Sequence, residues 1–461
     1  MVDRRKFIQT LLVAAATPAT STSLGAGGGG ARFGRLVRDP RQILDLPEGF
    51  EYQIVCRKGE EMDDGLLVPG EADGMATFPG EDGRVVIICN HENSPRRRHN
   101  GPFGTKLERL ERIDKNKIYD FGDGLTPGGG GTTTIVYNPI SKRTEKKFLS
   151  LAGTELNCSG GPTPWGSWLS CEECFKDTGG STEFFRYVQR EQRHGYVFEV
   201  PATGIGPADP VPLREMGRFE HEAAAVNSQS GIVYLTEDRV RSLLYRFIPH
   251  RKRKLHHGGR LQALCVVDKP SFDTRNWSGR ERMKTGQWLE TFWIDLQDVD
   301  SDHNDLRRRG ADAGAAIFAR GEGLCFTGTE FVITATIGGP DRLGQVFAYR
   351  PSPKEGCPDE NTEPGVLGLI AESTTRSLLR HADNITMSPW GDLIVCEDTA
   401  NHCGLVGIGP DGKQYPLADN AYTNSELAGV CFSPDQSIMF VNIQVRGLTL
   451  AITGPWSKFS T

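Results

Sequence analysis

The sequence predicts an all-β fold, a six-bladed β-propeller with long inter-blade insertions, and three observations support this prediction. The chain of 461 residues contains 55 glycines and 27 prolines, which favour many short elements joined by turns. A hairpin pattern recurs six times along the chain. The same type of polar residue leads each copy, while the intervals between copies are long and unequal.

Each copy of the hairpin has the same parts in the same order. A polar residue leads, and a short run of apolar or small residues, a turn, a β-rich run and a second polar cluster follow. The copies lie at residues 73–92, 157–173, 221–238, 322–336, 383–398 and 426–442. Since a blade needs about 40–45 residues, the chain has room for insertions, expected at 94–131, 175–195, 266–312 and 351–366. An antiparallel sandwich is the alternative, but the unequal intervals disfavour it.

The leading polar residues predict a metal site. The first residue of a hairpin and its last residue lie at the same end of the sheet, so inner hairpins bring their leading side chains to one mouth of the channel. These leading residues are Asp73, Cys158, Glu222, Glu322, Asp383 and Glu426. A second ring follows from the trailing clusters at 90–92, 172–173, 237–238, 397–398 and Asn442. Converging carboxylates repel unless protons or cations neutralise them, although acids that cap strand ends on a solvated surface are the alternative.

The types of ligand indicate which cations such a site would hold. Carboxylate oxygens suit hard cations such as Ca²⁺ or Mg²⁺. The thiolate of Cys158 among them indicates a softer or redox-active metal such as iron.

The first residues predict an export signal at 1–31, followed by one domain at 32–461. Arg4, Arg5 and Lys6 precede an apolar run at 7–16 and a stretch of small residues. This pattern predicts a twin-arginine signal, with an ordinary secretory signal as the alternative. We therefore expect a periplasmic or secreted protein that the twin-arginine translocase carries in its folded state.

Composition excludes two classes of protein. The formal net charge of −6, with 53 basic and 59 acidic side chains, argues against a nucleic-acid binder that works through bulk charge. The apolar run at 7–16 is too short for a bilayer span, so no stable membrane span is expected. We expect a monomer. The basic run at 96–99 is either an attractor for an anionic substrate or an ordinary solvated loop.

Five segments resemble the PhoX-type alkaline phosphatases. They are NCSGGPTPWGSWLSCEE at 157–173, GRFEHEAAA at 217–225, RGEG at 320–323, NITMSPWGDL at 384–393 and ELAG at 426–429. The resemblance implies a six-bladed propeller, exported by the twin-arginine route, with two ferric ions and calcium ions at the channel mouth. It also implies hydrolysis of small phosphate monoesters.

The resemblance also implies roles for particular residues. Cys158 would bind iron, with Cys171 as the alternative, and Glu222 and Glu322 would be further metal ligands. Arg320 would bind the substrate phosphate. Other predicted metal ligands are Asp73, Glu173, Asp383 and Glu426. Two other functions stay open: a calcium-dependent propeller lactonase or esterase, and a non-catalytic exported binding propeller.

Overall fold

A computed structural model describes residues 32–277 and 281–456 of the chain. Within these ranges the protein consists of β-strands and a single α-helix, α1, at Leu306–Asp312. Single-turn 3₁₀ helices lie at Glu81–Gly83, Arg98–Asn100, Leu110–Arg112, Lys115–Lys117, Gly122–Gly124, Arg214–Met216, Leu255–His257 and Glu360–Thr362. None of the described helices has the length and apolar character to cross a bilayer. The prediction of an all-β protein is confirmed; the predicted export signal lies outside the described residues.

The first sheet has four antiparallel strands. They are β4 (Ala72–Pro79), β5 (Val85–His91), β6 (Gly130–Asn138) and β7 (Arg143–Thr154), numbered after the three short N-terminal strands β1 (Leu36–Val37), β2 (Leu44–Pro47) and β3 (Glu51–Arg57). The run of β-branched residues in β5 is buried, as expected for a strand with a neighbour on each side.

The second sheet has three strands and carries a separate hairpin. The sheet consists of β8 (Asn157–Pro162), β9 (Ser167–Glu172) and β12 (Val197–Pro201). Between β9 and β12 the chain forms a two-stranded hairpin, β10 (Gly179–Glu183) and β11 (Arg186–Arg190). This hairpin leaves the sheet at the end where β9 finishes.

The largest sheet has nine strands and joins two antiparallel sets. The first set is β13 (His221–Val226), β14 (Val233–Glu237), β15 (Tyr245–Pro249), β16 (Gly259–Val266) and β17 (Trp288–Asp295). The second set is β18 (Gly321–Phe326), β19 (Phe331–Ala335), β20 (Gln345–Arg350) and β21 (Gly365–Glu372). The outer strands β17 and β21 pair with each other and so connect the two sets at their rims.

The last two sheets bring the two ends of the chain together. One contains β22 (Ala382–Met387), β23 (Leu393–Glu397), β24 (Gly404–Ile408) and β25 (Gln414–Asn420), extended by β2 and β1. The other contains β26 (Leu427–Phe432), β27 (Met439–Ile443) and β28 (Leu448–Thr453), completed by the N-terminal β3. Pairing of an N-terminal strand with the last strand closes the arrangement without a free edge at that point.

The leading strands surround a central channel. Consecutive leading strands contact each other in the order β4, β8, β13, β18, β22 and β26, and β26 contacts β4. Apolar side chains such as Ile87 and Phe440 fill the space between neighbouring sheets. A cavity of about 490 Å³ is lined by residues of all six leading strands, with both apolar and polar side chains. This is a propeller-like arrangement, as predicted.

The prediction that the long insertions lie between blades is wrong for three of the four. The insertions at 94–131, 175–195 and 351–366 follow β5, β9 and β20, and the next strand of the same sheet comes at their ends, so they lie within sheets. The fourth, at 266–312, contains β17 and α1 and runs on between the two sets of the nine-stranded sheet. The apolar inner hairpins have a clear pattern in the sequence, whereas outer strands such as β17, which is half-buried at most positions, have none.

Candidate metal centre

An identical irregularity in the six leading strands aims side chains into the channel. Each inner hairpin has a shift of register at the same point, where two residues of the leading strand face one residue of its partner. Such a β-bulge twists the strand and redirects the side chain of the extra residue. The first residue of the bulge is Asp73, Cys158, Glu222, Glu322, Asp383 and, in the sixth hairpin, Gly429.

The sixth leading residue therefore differs from the sequence-based alignment of the hairpins. Glu426, which that alignment places in phase with the other five, precedes β26 and lies three residues before the bulge position Gly429. Its side chain nevertheless reaches the other acids. Glu426 belongs to the site through its location and not through the repeat.

The structure brings all seven predicted metal ligands together. Their ligand atoms form four groups, within each of which the atoms lie within 4.8 Å of one another. The groups are Cys158 with Glu173 and Glu222; Glu222 with Glu322 and Asp383; Asp383 with Asp398 and Glu426; and Asp73 with Glu92 and Glu426. Successive groups share one residue: Glu222, then Asp383, then Glu426. The four groups therefore form one continuous row, with Cys158 at one end and Asp73 at the other.

The trailing strands supply acids that the sequence-based choice of ligands missed. Glu92 and Asp398 complete two of the groups, and each is the first residue after its strand, as Glu173 is. Asp238 follows β14 in the same way and binds Arg320. The sequence marks these positions, because they belong to the trailing polar clusters.

In each trailing pair of acids the two side chains have different surroundings. The first acid bonds within the protein: Glu172 to His194 at 2.7 Å, Glu237 to the Tyr245 hydroxyl at 2.8 Å, and Glu397 to the Arg380 amide at 2.9 Å. The second acid faces the channel, since successive side chains point to opposite faces where a strand ends. The alternation selects Glu173, Asp238 and Asp398 for the site.

Burial and mutual repulsion raise the pKa of the clustered acids. Burial is the largest cause for Asp73, Glu222 and Glu322, and neighbouring carboxylates add to it, so their pKa values lie well above the usual range. The same two causes raise the pKa of Glu92 and of Asp383 to about 7. Without cations, part of this row of acids would hold protons near neutral pH.

Arg320 is the cation that meets this row. Its Nε and Nη2 donate to the two carboxylate oxygens of Asp238 at 2.7 and 2.8 Å, and Nη2 also donates to Glu322 at 2.9 Å. Its backbone has φ of +53°, a left-handed conformation that costs energy for a residue with a side chain. The side chain stays 30% exposed, so it can meet a ligand.

The two cysteines of the second hairpin have different environments. Cys158 Sγ lies in the first metal group and 3.3 Å from the carbonyl oxygen of His221. Both cysteines are buried in the same apolar cluster, but Cys171 belongs to none of the metal groups found among the described residues. The structure thus brings Cys158, and not its alternative, to the acids.

Amide side chains hold the strands that carry the ligands. Gln444 Nε2 donates to Asp73 and Glu92, at 2.9 Å in both cases. Asn90 Nδ2 donates to the carbonyl oxygens of Cys158 and Ser159, at 3.2 and 2.6 Å. These bonds fix the position of neighbouring hairpins relative to one another.

The donor set fits cations. Carboxylates that share a buried space need neutralisation, and the described residues bring one arginine, Arg320, into direct contact with the row. The groups made of carboxylates alone have the oxygen ligands that Ca²⁺ prefers, and the group with a thiol suits a softer metal. Fold and site together define a propeller-like protein with an acidic centre able to hold metal ions, beside an arginine suited to an anionic ligand.

The family follows from a comparison of the sequence with known families. The model of the family described as alkaline phosphatase PhoX matches residues 31–138 and 128–447. The chain belongs to the alkaline phosphatase PhoX family, and the predicted activity, hydrolysis of phosphoric esters, is confirmed at the level of the family. No protein in the curated collections matches the chain.

The solved structure of a PhoX protein supports the propeller-like fold. The protein is similar to Pseudomonas fluorescens PhoX in complex with vanadate, a transition state analogue, with 18% identity and a TM-score of 0.66 over 90% of this chain and 96% of the other. A gluconolactonase from Xanthomonas campestris matches with 12% identity and a TM-score of 0.38, over 88% of this chain and 95% of the other.

Proposed function

We propose that this phosphatase hydrolyses small phosphate monoesters at an iron and calcium centre in one mouth of a six-bladed propeller. The observation that carries the proposal is the continuous row of buried acids and one cysteine, with Arg320 beside it. A phosphate ester is anionic, so an acidic centre must carry cations to bind it. Membership of the alkaline phosphatase PhoX family supports the same reaction.

The count of six blades rests on the leading strands. Six leading strands contact one another in a ring, and all six carry the bulge at the same point. The nine-stranded sheet would then be two blades that pair through their outermost strands, β17 and β21. We propose that residues 32–461 form this single propeller domain.

We assign iron to the group that contains the thiol. Cys158, Glu173 and Glu222 combine a sulfur ligand with two carboxylates, which suits Fe³⁺. The three groups made of carboxylates alone suit Ca²⁺. When bound, such cations stabilise the charge on the phosphoryl oxygens and lower the pKa of bound water.

Arg320 would hold the phosphate in place. Asp238 binds the Nε and Nη2 edge of the guanidinium, while Nη1 lies 4.0 Å from Asp398, beyond hydrogen-bond distance. That leaves donors for phosphate oxygens in a fixed direction. Because Asp238 already orients Arg320, the arginine side chain would lose less conformational entropy when substrate binds.

The histidines of the inner strands take no part in proton transfer in this proposal. His91 and His221 are buried, and burial lowers their pKa values to about 4 and about 3. His91 bonds to the carbonyl oxygen of Gly70 and to Thr133, and His221 bonds to the carbonyl oxygen of Gly217. A pKa this low makes each imidazole a weak base, and both rings hold strand ends, which disfavours an esterase that uses either histidine as its base.

Measurement of metal content together with hydrolysis of an aryl phosphate tests the proposal. We expect iron and calcium in the purified protein, and a loss of about a hundredfold or more in kcat/KM for Arg320→Ala. Arg350→Ala is the matched control, since Arg350 pairs with Glu330 on an outer strand. Calcium alone with lactone hydrolysis would favour a lactonase. Both metals without hydrolysis of phosphate esters would favour a binding protein.

We also propose export of the protein, as a monomer, to the periplasm or the medium by the twin-arginine translocase. Arg4 and Arg5 followed by an apolar run support this route. Replacement of both arginines by lysine is expected to retain the protein in the cytoplasm. Unchanged export would contradict the proposed route but would not affect the proposal of phosphatase activity.

A further inference from the structure

The hairpin of β10 and β11 ends in two exposed phenylalanines. Glu183 pairs with Arg186, so Phe184 and Phe185 alone form the turn. Their side chains are 81% and 101% exposed, and Tyr187 next to them is 60% exposed. An exposed group of large apolar side chains on a soluble domain indicates contact with something outside the chain.

The backbone of this turn is strained for the residues that it carries. Phe184 and Phe185 have φ of +44° and +67°, in the left-handed region. Two-residue turns with this geometry favour Asn-Gly, because bulky residues are costly there. Closing the hairpin does not require phenylalanine, and the phenylalanines gain almost no burial. Their role therefore lies at the surface that they present.

The base of the hairpin is firmly anchored. Val188 is fully buried, and Arg190 donates to both carboxylate oxygens of Glu155 at 2.6 and 2.9 Å. Glu183, which lies beside the turn, is tied back to the base through Lys176 at 3.1 Å and Arg190 at 2.9 Å. A fixed base presents the aromatic tip in a defined direction.

Basic side chains surround the tip. The guanidinium of Arg96 lies 4.4 Å from the ring centre of Phe184, and Arg186 donates to the carbonyl oxygen of Arg96 at 3.1 Å. Arg98 donates to the carbonyl oxygen of Leu125, whose side chain is 62% exposed. Arg96 and Arg98 of the basic run at 96–99 are thus part of this surface, whereas Arg97 pairs with the buried Glu71 at 3.1 Å. Arg96 also pairs with Glu183 at 3.4 Å, so three arginines (Arg96, Arg98 and Arg186) stand against one carboxylate among these residues, although the whole chain has a net charge of −6.

We propose that this aromatic tip docks the protein on an anionic phospholipid bilayer. Aromatic rings beside arginines are the combination that partitions into the boundary between headgroups and acyl chains. The positive charge around the tip matches anionic headgroups, and the negative charge of the remaining chain disfavours other orientations. A convex tip with both rings exposed suits a deformable bilayer better than a rigid protein surface. The hairpin follows Glu173, so docking would turn that end of the sheet towards the membrane.

Binding to lipid vesicles tests the proposal. The full chain is mixed with vesicles of phosphatidylcholine and phosphatidylglycerol in equal parts, or of phosphatidylcholine alone, and bound protein is measured by flotation. We expect preferential binding to the anionic vesicles, weakened by salt. The variant Phe184→Asn with Phe185→Gly keeps the favoured turn and removes both rings, and should need about tenfold more lipid for half-binding. Ile140→Asn, at a turn where Ile140 is 91% exposed, is the matched control and should bind as wild type does.

A fluorescent probe separates the tip from any contribution of residues 1–31. The fluorescence that the new indole adds in Phe185→Trp is obtained as the difference between the spectra of this variant and of the wild type. On anionic vesicles this added fluorescence should shift to shorter wavelength, and brominated phosphatidylcholine should quench it. Hydrolysis of a soluble aryl phosphate should be the same in all these variants. Equal vesicle binding by wild type and the double variant, or an unchanged emission of Trp at 185, would overturn the proposal. Absence of vesicle binding by the wild type would overturn it as well and would point to a protein partner.

Discussion

Asp238 and Arg320 are joined by two parallel hydrogen bonds, from Nε to Oδ1 at 2.7 Å and from Nη2 to Oδ2 at 2.8 Å. The two residues come from neighbouring leading hairpins: Asp238 follows β14, and Arg320 precedes β18. The pair therefore ties adjacent parts of the ring together beside the acids. Arg320, the arginine that the described residues bring into contact with the acids, has a backbone φ of +53°.

Asp238→Asn should lower activity although Asn has the same shape as Asp. The substitution removes the charge and one acceptor, so Arg320 loses its bidentate partner and its fixed direction. We expect kcat/KM for an aryl phosphate to fall about tenfold or more, with KM rising, because phosphate binding weakens. The control is Asp273→Asn, since Asp273 binds Arg275 with the same geometry, at 2.7 Å for both bonds. Equal losses in both variants would show that Asp238 has only a structural role.

Cys158→Ala should remove iron from the purified protein, while Cys171→Ala should retain it. Both cysteines are buried on the same hairpin, so each substitution leaves a cavity of similar size. Only Cys158 lies within 4.8 Å of the carboxylates of Glu173 and Glu222. Elemental analysis of the two variants decides between them. Iron retained in the first and lost in the second would transfer the role to Cys171.

Much of this site could be predicted because it is built from a local pattern. A leading polar residue, a turn and a trailing acid occur within about twenty residues, and hairpin geometry alone brings the two ends together. The trailing acids were harder to choose. In the pair Glu237 and Asp238 the sequence offers two equal acids, and only the direction of each side chain sends Glu237 to Tyr245 and Asp238 to Arg320.

Other features required the register of the strands. The bulge position of the sixth hairpin is Gly429, so the alignment that put Glu426 in phase was wrong, although Glu426 reaches the site. The other five bulges carry an acid or a cysteine, but the sixth carries a glycine, so no polar residue marks its position and the acid three residues earlier was aligned in its place. The outer strands were missed for a related reason, because they follow insertions and are partly exposed.

Removal of metal should make stability depend on pH in a defined direction. Burial raises the pKa of Glu92 from 4.5, and that of Asp383 from 3.8, to about 7. The folded state thus holds protons that the unfolded state releases, so the metal-free protein loses stability as pH rises from about 4 through 7. Calcium should reverse the loss at the upper end, since it neutralises the same carboxylates. Thermal unfolding of chelator-treated protein at a series of pH values, with and without calcium, measures this. A metal-free protein that gains stability over the same range would contradict the assignment.

Gly429→Ala should destabilise the protein, because the added Cβ would force apart two leading strands that are in close contact. Gly429 has φ of +65°, and a Cβ there would lie 2.3 Å from the carbonyl oxygen of Asp73 on the neighbouring leading strand. Backbone cannot give way as the end of a side chain can, so the two strands must separate, and Asp73 moves with its strand. Gly166→Ala is the control, because Gly166 has φ of +86° with nothing within 4 Å of the added atom. The control measures the conformational cost alone, about 1 kcal/mol.

Urea unfolding should show a larger loss for Gly429→Ala, together with weaker calcium retention, since Asp73 belongs to a metal group. If the two variants lose the same stability and keep their calcium, close contact of the leading strands is not what positions Asp73.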